Sequence, residues 1–202
     1  MKLYYAPGAC SLAPHIVLCE TGLPCELILV DLEGKRTDTG EDFLQINPLG
    51  YVPALQLDDG SILLEGPAIV QFLADQAPHS RLVPAPDTFE RYRLQQWLNF
   101  IATELHQNCG TLFHPELNAE ATAWFQQRLN RRLAYVAEQL QDRDFLLNGD
   151  FTVADAYLFV VLSWRDFVGF DLAPWPVLSA YFDRILARPS VQEALRQEGL
   201  ID

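Results

Sequence analysis

The fold is decided by one stretch near the start of the chain, residues 2–32, which reads KLYYAPGACSLAPHIVLCETGLPCELILVDL. Its first segment, KLYYA, is short, apolar and aromatic, as strands are, and Pro7 and Gly8 break it. The next segment, SLAPHIVLCET, has a helical pattern that Gly22 ends. The aliphatic run at 25–32 then predicts a buried strand. Strand, helix and strand in this order predict a β-α-β unit with parallel strands and a right-handed crossover.

The pattern continues to about residue 80. The segment ALQLDDGSILLE at 54–65 places two apolar runs around Asp-Asp-Gly, which predicts a hairpin. The segment GPAIVQFLADQ that follows predicts a helix with Pro67 in its first turn. Residues 1–80 are therefore expected to form an α/β domain of the order β-α-β-α-β-β-α, and the irregular residues 81–87 are expected to link it to a second domain.

Long helical patterns replace the strands beyond this linker, so residues 88–202 predict an all-α domain. The patterns cover residues 88–110, 118–141, 152–168 and 176–188. In FTVADAYLFVVL, Thr152 and Asp155 have the spacing of a capping box, and the apolar residues that follow are continuous. This pattern predicts a helix that is buried in the core of the second domain.

The composition excludes several classes of function. A formal net charge of −13 argues against sequence-independent nucleic-acid binding, which needs clustered Lys and Arg. The basic cluster of Arg128, Arg131 and Arg132 has helical spacing and predicts a solvated helix face or a subunit contact. The longest strongly apolar run, at 156–162, is too short to span a membrane. The start of the chain lacks the long apolar stretch of a signal peptide, so we expect a cytoplasmic protein.

The cysteines show no pairing pattern that would indicate a disulfide framework or a zinc site. His106, Cys109 and His114 lack a second paired set of ligands, and we expect no metal. Cys10 stands at the predicted start of a helix, where free N–H groups favour a thiolate, so its pKa is expected to be low. Ala13 occupies the place of the second cysteine of a thioredoxin-type motif. A structural cysteine packed under the first turn is the alternative.

Two short segments have the residues of a peptide-binding site. Val52 and Pro53 lie at the mouth of a predicted strand, which leaves the backbone of Val52 available to an extended peptide. Glu65 and Gly66 lie at a predicted helix start, where amide groups can bind a carboxylate and Glu65 can bind an ammonium. The zwitterionic end of an amino acid would fit this arrangement.

The helical pattern at 88–110 has an apolar and a polar face, since residues follow one another at about 100°. The apolar face, expected in the core, consists of Leu94, Leu98, Ile101 and Leu105. The polar face consists of Asn99, Thr103 and His106. Either an ordinary solvated face or one side of a binding site would show this pattern.

Together these motifs resemble those of bacterial glutathione S-transferases of the beta, or cysteine, class. The resemblance covers nearly the whole chain and is carried by KLYYAPGACSLAPHI, INPLGYVPAL, LLEGPAIVQFLAD, WLNFIATELH and FTVADAYLF. It implies a thioredoxin-like first domain, an all-α second domain and a homodimer. It also implies conjugation of glutathione to small, mostly apolar electrophiles, with glutathione as a cosubstrate and no permanently bound cofactor.

The resemblance also implies a glutathione site. Val52, before a cis Pro53, pairs with the cysteinyl backbone of glutathione, and Lys35 reaches its glycyl carboxylate. Glu65 and Gly66 hold the γ-glutamyl end. Many relatives have serine where this chain has Gly66, so that a hydroxyl contact is missing and the backbone amide remains.

By the same resemblance, Cys10 and His106 are the catalytic residues expected beside the sulfur of glutathione. Tyr5 and Ser11 are reserve donors, because related enzymes use tyrosine or serine to donate a hydrogen bond. The helical domain is expected to add further glutathione-binding residues, which are Asn99, Thr103, Glu104, His106 and Trp164.

Two other functions are compatible with the same residues. Cys10 could act as a nucleophile that forms a mixed disulfide with glutathione, which would give thiol-transferase or peroxidase activity. Alternatively, the protein could be a non-catalytic carrier of apolar ligands. Phe113, Trp164 and Phe167 would then line the ligand cleft, although aromatic residues at helical spacing also pack in cores.

Overall fold

The computed structural model of the chain describes residues 1–147 and 149–202. Its contacts divide it into two compact units, one formed by residues 1–83 with 187–202 and the other by 84–186. The boundary between the units falls inside the segment expected as a linker.

The first unit is built on a mixed sheet of strand order β3-β2-β1-β4-β5. The strands are β1 (Lys2–Tyr5), β2 (Glu26–Asp31), β3 (Arg36–Thr37), β4 (Ala54–Gln56) and β5 (Ile62–Leu64). Strands β1 and β2 are parallel, and helix α1 (Leu12–Thr21) connects them, which confirms the predicted β-α-β unit. Strand β4 runs antiparallel to β1, and the confirmed hairpin β4–β5 leads into helix α2 (Gly66–Gln76). This is the thioredoxin-like architecture expected from the resemblance.

The connection between β2 and β4 differs from the helix in the predicted order. It contains only the short strand β3 and a single 3-10 turn at Phe43–Gln45. Phe43 is fully buried and packs against the ring of Tyr4, with ring centroids 5.7 Å apart. Pro48 disfavours helical backbone at Asn47, so the turn does not extend into a helix.

The C-terminal segment belongs to the first unit, although the sequence analysis assigned it to the helical domain. Helix α9 (Pro189–Gln197), which the sequence patterns missed, packs against α1. Its buried residues are Ser190, Val191, Ala194 and Leu195. The helix is short and polar on its outer face, so its position depends on packing against α1 rather than on a strong local signal.

The second unit is helical, as predicted. Its elements are α3 (Phe89–Phe100), a π-helix (Ile101–His106), α4 (Gln107–Leu112), α5 (Ala119–Gln139), α6 (Val153–Ser163), α7 (Arg165–Val168) and α8 (Pro176–Leu186). The pattern at 88–110 is thus divided by π-helical backbone, and the pattern at 152–168 is interrupted at Trp164.

Helix α6 is buried along almost its whole length, which confirms the prediction for this segment. Its start is fixed by Asp155, whose carboxylate accepts hydrogen bonds from the N–H and the hydroxyl of Thr152 at 2.8 and 2.7 Å. The Leu146 N–H and the Tyr181 hydroxyl donate to the same carboxylate at 2.8 and 2.9 Å.

Among the described residues, none of the helices combines the length and the apolar character that a membrane crossing requires.

A buried ion pair joins the C-terminal segment to α1 and to the β1–α1 loop. Glu198 accepts a hydrogen bond from the Gly8 N–H at 2.8 Å and lies 2.9 Å from Nδ1 of His15. The other ring nitrogen of His15 faces the side-chain oxygen of Gln197 at 2.7 Å. Because both ring nitrogens face oxygen acceptors, both carry a proton, and the ring is an imidazolium.

The pKa of His15 agrees with this geometry. Desolvation lowers the pKa, but hydrogen bonds to Cys19, Glu198 and Gln197 outweigh it and raise the pKa to about 10. The folded value lies above the unfolded value of about 6.5. The stabilisation by this pair is therefore complete below about pH 6.5 and is lost as the pH rises through about 10.

We expect Glu198→Gln to lower the free energy of unfolding by about 3 kcal/mol near pH 6, because it removes one partner of a buried ion pair. The difference from wild type should shrink as the pH approaches about 10, where His15 loses its charge. Urea unfolding followed by circular dichroism measures both values.

The matched control is Glu26→Gln, which removes an exposed carboxylate 3.7 Å from Lys2. It should change the free energy of unfolding by less than about 0.5 kcal/mol, without this trend. A difference between wild type and Glu198→Gln that stays constant with pH would contradict a charged His15.

Candidate active site

Cys10 lies in the loop that joins β1 to α1, shortly before the helix begins at Leu12. Its thiol donates a hydrogen bond to the carbonyl oxygen of Val52, with an Sγ–O distance of 3.1 Å. The residue as a whole is half-buried, but its sulfur is surrounded by protein. Cys10 is therefore held as a hydrogen-bond donor.

Burial raises the pKa of the Cys10 thiol to about 12, because a buried thiolate would lose its hydration. The backbone N–H groups of Cys10 and Ser11 act in the opposite direction, and the Glu65 carboxylate adds to the rise. The predicted low pKa of Cys10 is therefore wrong. The amides of the helix start are present, but desolvation outweighs their effect.

The two reserve donors, Ser11 and Tyr5, differ in their surroundings within the first unit. Ser11 is fully buried, and its hydroxyl accepts a hydrogen bond from the Ala6 N–H and donates one to the Ala6 carbonyl. This pairing closes the loop that carries Cys10 and disfavours Ser11 as a donor to a ligand. The ring of Tyr5 packs edge-on against His15, with centroids 6.0 Å apart. Burial, Glu198 and Asp38 raise the pKa of Tyr5.

The segment before β4 carries the next group of candidate residues. The Val52–Pro53 peptide bond is cis, as the resemblance implied. Lys35 lies in the turn after β2 and donates a hydrogen bond from Nζ to the carbonyl oxygen of Gly50 at 3.0 Å. Its ammonium is thus held beside the loop that leads to Val52.

Helix α2 begins where the sequence predicted an amino-acid site. Glu65 is the N-cap residue of this helix, and its backbone carbonyl accepts hydrogen bonds from the N–H groups of Ala68 and Ile69. Its side chain is exposed and makes no capping hydrogen bond. Gly66 follows at the first helical position. A Cβ atom at Gly66 would meet only the Cγ of Pro53, at 3.9 Å, which is an ordinary van der Waals distance. The backbone therefore does not require glycine there.

The two faces predicted for the segment at 88–110 are found in the second unit. The residues of the apolar face are all buried, and they are Leu94, Leu98, Ile101 and Leu105. Asn99 and Thr103 are exposed, and the Thr103 hydroxyl donates to the Asn99 carbonyl at 2.9 Å. Both residues thus remain open to a ligand on the polar face.

Glu104 has a structural partner that the sequence analysis did not foresee. Its carboxylate lies 2.5 Å from Nε of Arg132 and 3.3 Å from a guanidinium nitrogen of Arg128. These arginines lower the pKa of Glu104, with the hydrogen bond from Arg132 as the largest cause. The pairing ties the π-helix to α5 and occupies two arginines of the cluster that was expected on a solvated face or at a subunit contact.

His106 ends the π-helix in an aromatic environment. Its Nδ1 lies 2.5 Å from the hydroxyl of Tyr157, and its ring packs against Trp164 with centroids 4.9 Å apart. Burial lowers the pKa of His106 to about 4, so the imidazole is neutral at physiological pH. Phe113 also packs against the Trp164 ring, with centroids 5.6 Å apart, whereas Phe167 is exposed.

Tyr157 is a residue of this cluster that the sequence analysis missed. It lies inside the apolar run at 156–162, which predicted only a buried helix. Its hydroxyl was the one available signal, because a buried tyrosine usually finds a hydrogen-bond partner.

In the part of the chain that the structure describes, no group of three or more His, Cys, Asp or Glu side chains could hold a metal ion.

The predicted site residues thus form two groups, one in each unit. The group of the first unit comprises Tyr5, Cys10, Ser11, Lys35, Val52, Pro53, Glu65 and Gly66. The group of the second unit comprises Asn99, Thr103, Glu104, His106 and Trp164. The first group combines backbone polar groups, an ammonium, a carboxylate and a thiol, and the second combines polar side chains with a neutral imidazole and aromatic rings.

Comparisons with known proteins agree with this division. Residues 8–76 match the family described as glutathione S-transferase, N-terminal domain, and residues 100–189 match glutathione S-transferase, C-terminal domain. The chain is 46% identical to glutathione S-transferase GstA of Escherichia coli O157:H7, over 99% of this chain and 100% of the relative.

Two solved structures are similar over their whole length. One is a bacterial beta-class glutathione S-transferase of Sphingomonas chungbukensis, with a TM-score of 0.96, 46% identity and 100% of each chain covered. The other is a sphingomonad glutathione S-transferase in complex with glutathione, with a TM-score of 0.95, 48% identity and 100% of each chain covered.

In ligand-free protein near neutral pH, we expect Cys10 to react with iodoacetamide no faster than Cys109. The thiols of both residues are buried, and burial raises the pKa of each to about 12. Peptide mass spectrometry after timed alkylation measures the two rates in one sample, so that Cys109 serves as the internal control. Preferential labelling of Cys10 at neutral pH would contradict the burial of its thiol.

Proposed function

Because the chain belongs to the glutathione S-transferase family, we propose that it transfers the thiolate of glutathione to small, mostly apolar electrophiles. The observation that carries the proposal is the start of α2, where the exposed Glu65 and the amide of Gly66 are adjacent. A carboxylate beside an N–H group at a helix start suits the ammonium and carboxylate of a γ-glutamyl group. Glutathione is then a cosubstrate, and no permanently bound cofactor is needed.

We assign the other parts of glutathione to the remaining residues of the first group. The Val52 backbone pairs with the cysteinyl part, and Lys35 neutralises the glycyl carboxylate. Because Lys35 already donates to Gly50, its ammonium is ordered before glutathione binds, which reduces the entropy that binding costs. Asn99 and Thr103 supply further polar contacts from the second unit. The Glu104 carboxylate is already paired with Arg128 and Arg132, so we assign it no direct contact with glutathione.

In the proposed reaction, the single S–H of Cys10 turns from the Val52 carbonyl to the sulfur of glutathione, and His106 donates a second hydrogen bond to it. These two bonds lower the pKa of the glutathione thiol, whose proton passes to solvent. The thiolate then attacks an electrophilic carbon, a carbon–sulfur bond forms, and the leaving group departs with its electron pair. Both residues act as neutral donors, since burial raises the pKa of Cys10 and lowers that of His106. Tyr5 remains the reserve donor.

The state of Cys10 argues against thiol transfer through this residue as the main activity. A nucleophilic cysteine must be a thiolate, and the Cys10 thiol instead donates a hydrogen bond to Val52. The non-catalytic carrier is the other alternative. Phe167 could contribute to an apolar ligand site, because 78% of its surface is exposed.

We also propose a cytoplasmic homodimer. In residues 1–147 and 149–202 the four cysteines are free thiols, which suits a reducing compartment. Leu49 and Tyr51, two residues apart in the chain, expose 64% and 68% of their surfaces, and such exposed large side chains favour an interface. Light scattering at micromolar concentration should give twice the mass of one chain, and a monomer mass would contradict the dimer.

Steady-state turnover of a chloronitrobenzene and of a mixed disulfide, each with glutathione, tests the proposed function. We expect conjugation of the chloronitrobenzene and little reduction of the disulfide, because Cys10 is held as a thiol. Strong disulfide reduction that Cys10→Ala abolishes would favour thiol transfer. Absence of both activities, with an apolar dye still bound, would favour the carrier.

The variant Gly66→Ser sharpens this test at the γ-glutamyl subsite. The serine has room for its Cβ and adds a hydroxyl beside the amide of residue 66. One further hydrogen bond to a carboxylate should lower KM for glutathione about fivefold with kcat nearly unchanged. Gly66→Ala adds the same Cβ without the hydroxyl and should leave KM unchanged. Equal effects of both variants would contradict the assigned subsite.

A further inference from the structure

A buried hydroxyl lies beside the imidazole of His106. The hydroxyl oxygen of Tyr157 is 2.5 Å from His106 Nδ1, and the two rings meet edge to face at 80°. Tyr157 is only 3% exposed, so water does not compete for this hydrogen bond. In this shielded setting the bond is stronger than the same contact on the surface.

The helix that carries Tyr157 is fixed at its start. Asp155 accepts hydrogen bonds from Thr152, from the Leu146 N–H and from the Tyr181 hydroxyl. Tyr157 follows two residues later, and Trp164 caps the other end of the same helix. The imidazole of His106 is thus held by two aromatic residues of one rigid element, α6.

His106 itself ends a stretch of π-helical backbone at Ile101–His106, which packs against α6. Such backbone is rare and is frequently found at functional sites, and its wider turn shifts side chains around the helix axis. Here the π-helical stretch ends at His106, the residue that contacts Tyr157. Ile101 and Leu105, which belong to the same stretch, remain in the core.

The proton on the imidazole follows from these contacts. Burial keeps His106 neutral, so its ring carries a single N–H. A phenol is a stronger acid than the N–H of a neutral imidazole, so the Tyr157 hydroxyl donates and Nδ1 accepts. The ring proton then lies on Nε2, since the bond made by one nitrogen sets the state of the other.

We propose that Tyr157 is a positioning residue that holds His106 in the tautomer with its proton on Nε2, from which the imidazole donates to the sulfur of glutathione. The role in transfer rests on the proposed function, whereas the choice of tautomer is a property of the ligand-free chain. Tyr157 does not contact the sulfur and acts only through His106.

The test compares wild type with Tyr157→Phe, which keeps the ring and removes the hydroxyl. Long-range proton–nitrogen NMR spectra distinguish the two neutral tautomers, and the signals of His106 are identified by their loss in His106→Asn. Wild type should show the proton on Nε2, and the variant should show a mixture of tautomers. The kcat for conjugation should fall about twofold for an even mixture of tautomers, with KM for glutathione nearly unchanged, because about half of the enzyme then holds the competent tautomer.

The matched control is Tyr181→Phe, which removes another buried tyrosine hydroxyl, the one that donates to Asp155. It should lower the stability of the second unit without changing the tautomer of His106. In a His106→Asn background, Tyr157→Phe should have no further effect on kcat.

The outcomes are distinct for the two proposals. A wild-type proton on Nδ1, or a variant with unchanged tautomer and kcat, overturns the positioning role even if the protein is an active transferase. Wild type without turnover overturns the proposed function, and with it the role of the tautomer in transfer. The NMR spectra then still report whether Tyr157 sets the proton.

Discussion

The first unit depends most on the hydrogen bonds and the ion pair that the buried carboxylate of Glu198 makes. This carboxylate binds the Gly8 N–H and the His15 imidazolium, so it joins the C-terminal segment, α1 and the β1–α1 loop at one point. A charge taken out of water is stable only if it is paired and hydrogen-bonded, and here both conditions are met. Because Cys10 lies two residues after Gly8, the position of its thiol is set partly by a contact made at the far end of the chain.

Desolvation determines the protonation of the candidate site. It raises the pKa of Cys10 and lowers the pKa of His106, and in both residues it favours the neutral form. Sequence reasoning considered the amides at the start of α1, which favour a thiolate, but it could not weigh them against burial. His15 shows the opposite outcome, since desolvation lowers its pKa by less than hydrogen bonds to Cys19, Glu198 and Gln197 raise it.

Features with local signals were predictable from the sequence, and features that depend on distant partners were not. The β-α-β unit, the hairpin at 54–65 and the capping carboxylate of Asp155 follow from residues within one segment. The packing of α9 on α1, the pairing of Glu104 with α5 and the hydroxyl of Tyr157 beside His106 each join residues far apart in the chain. Periodicity predicts which residues are buried, but it does not name their partners.

The neutral state of both proposed donors fits the chemistry of a thiolate that must attack carbon. A full positive charge beside the sulfur would lower its pKa strongly, and the nucleophilicity of a thiolate falls as its pKa falls. Hydrogen bonds from a thiol and a neutral imidazole stabilise the thiolate less, and so leave it more reactive. With pKa values of about 12 for Cys10 and about 4 for His106, neither donor changes charge near neutrality. In the proposed reaction, the ionisation that limits transfer near neutral pH therefore belongs to the thiol of glutathione itself.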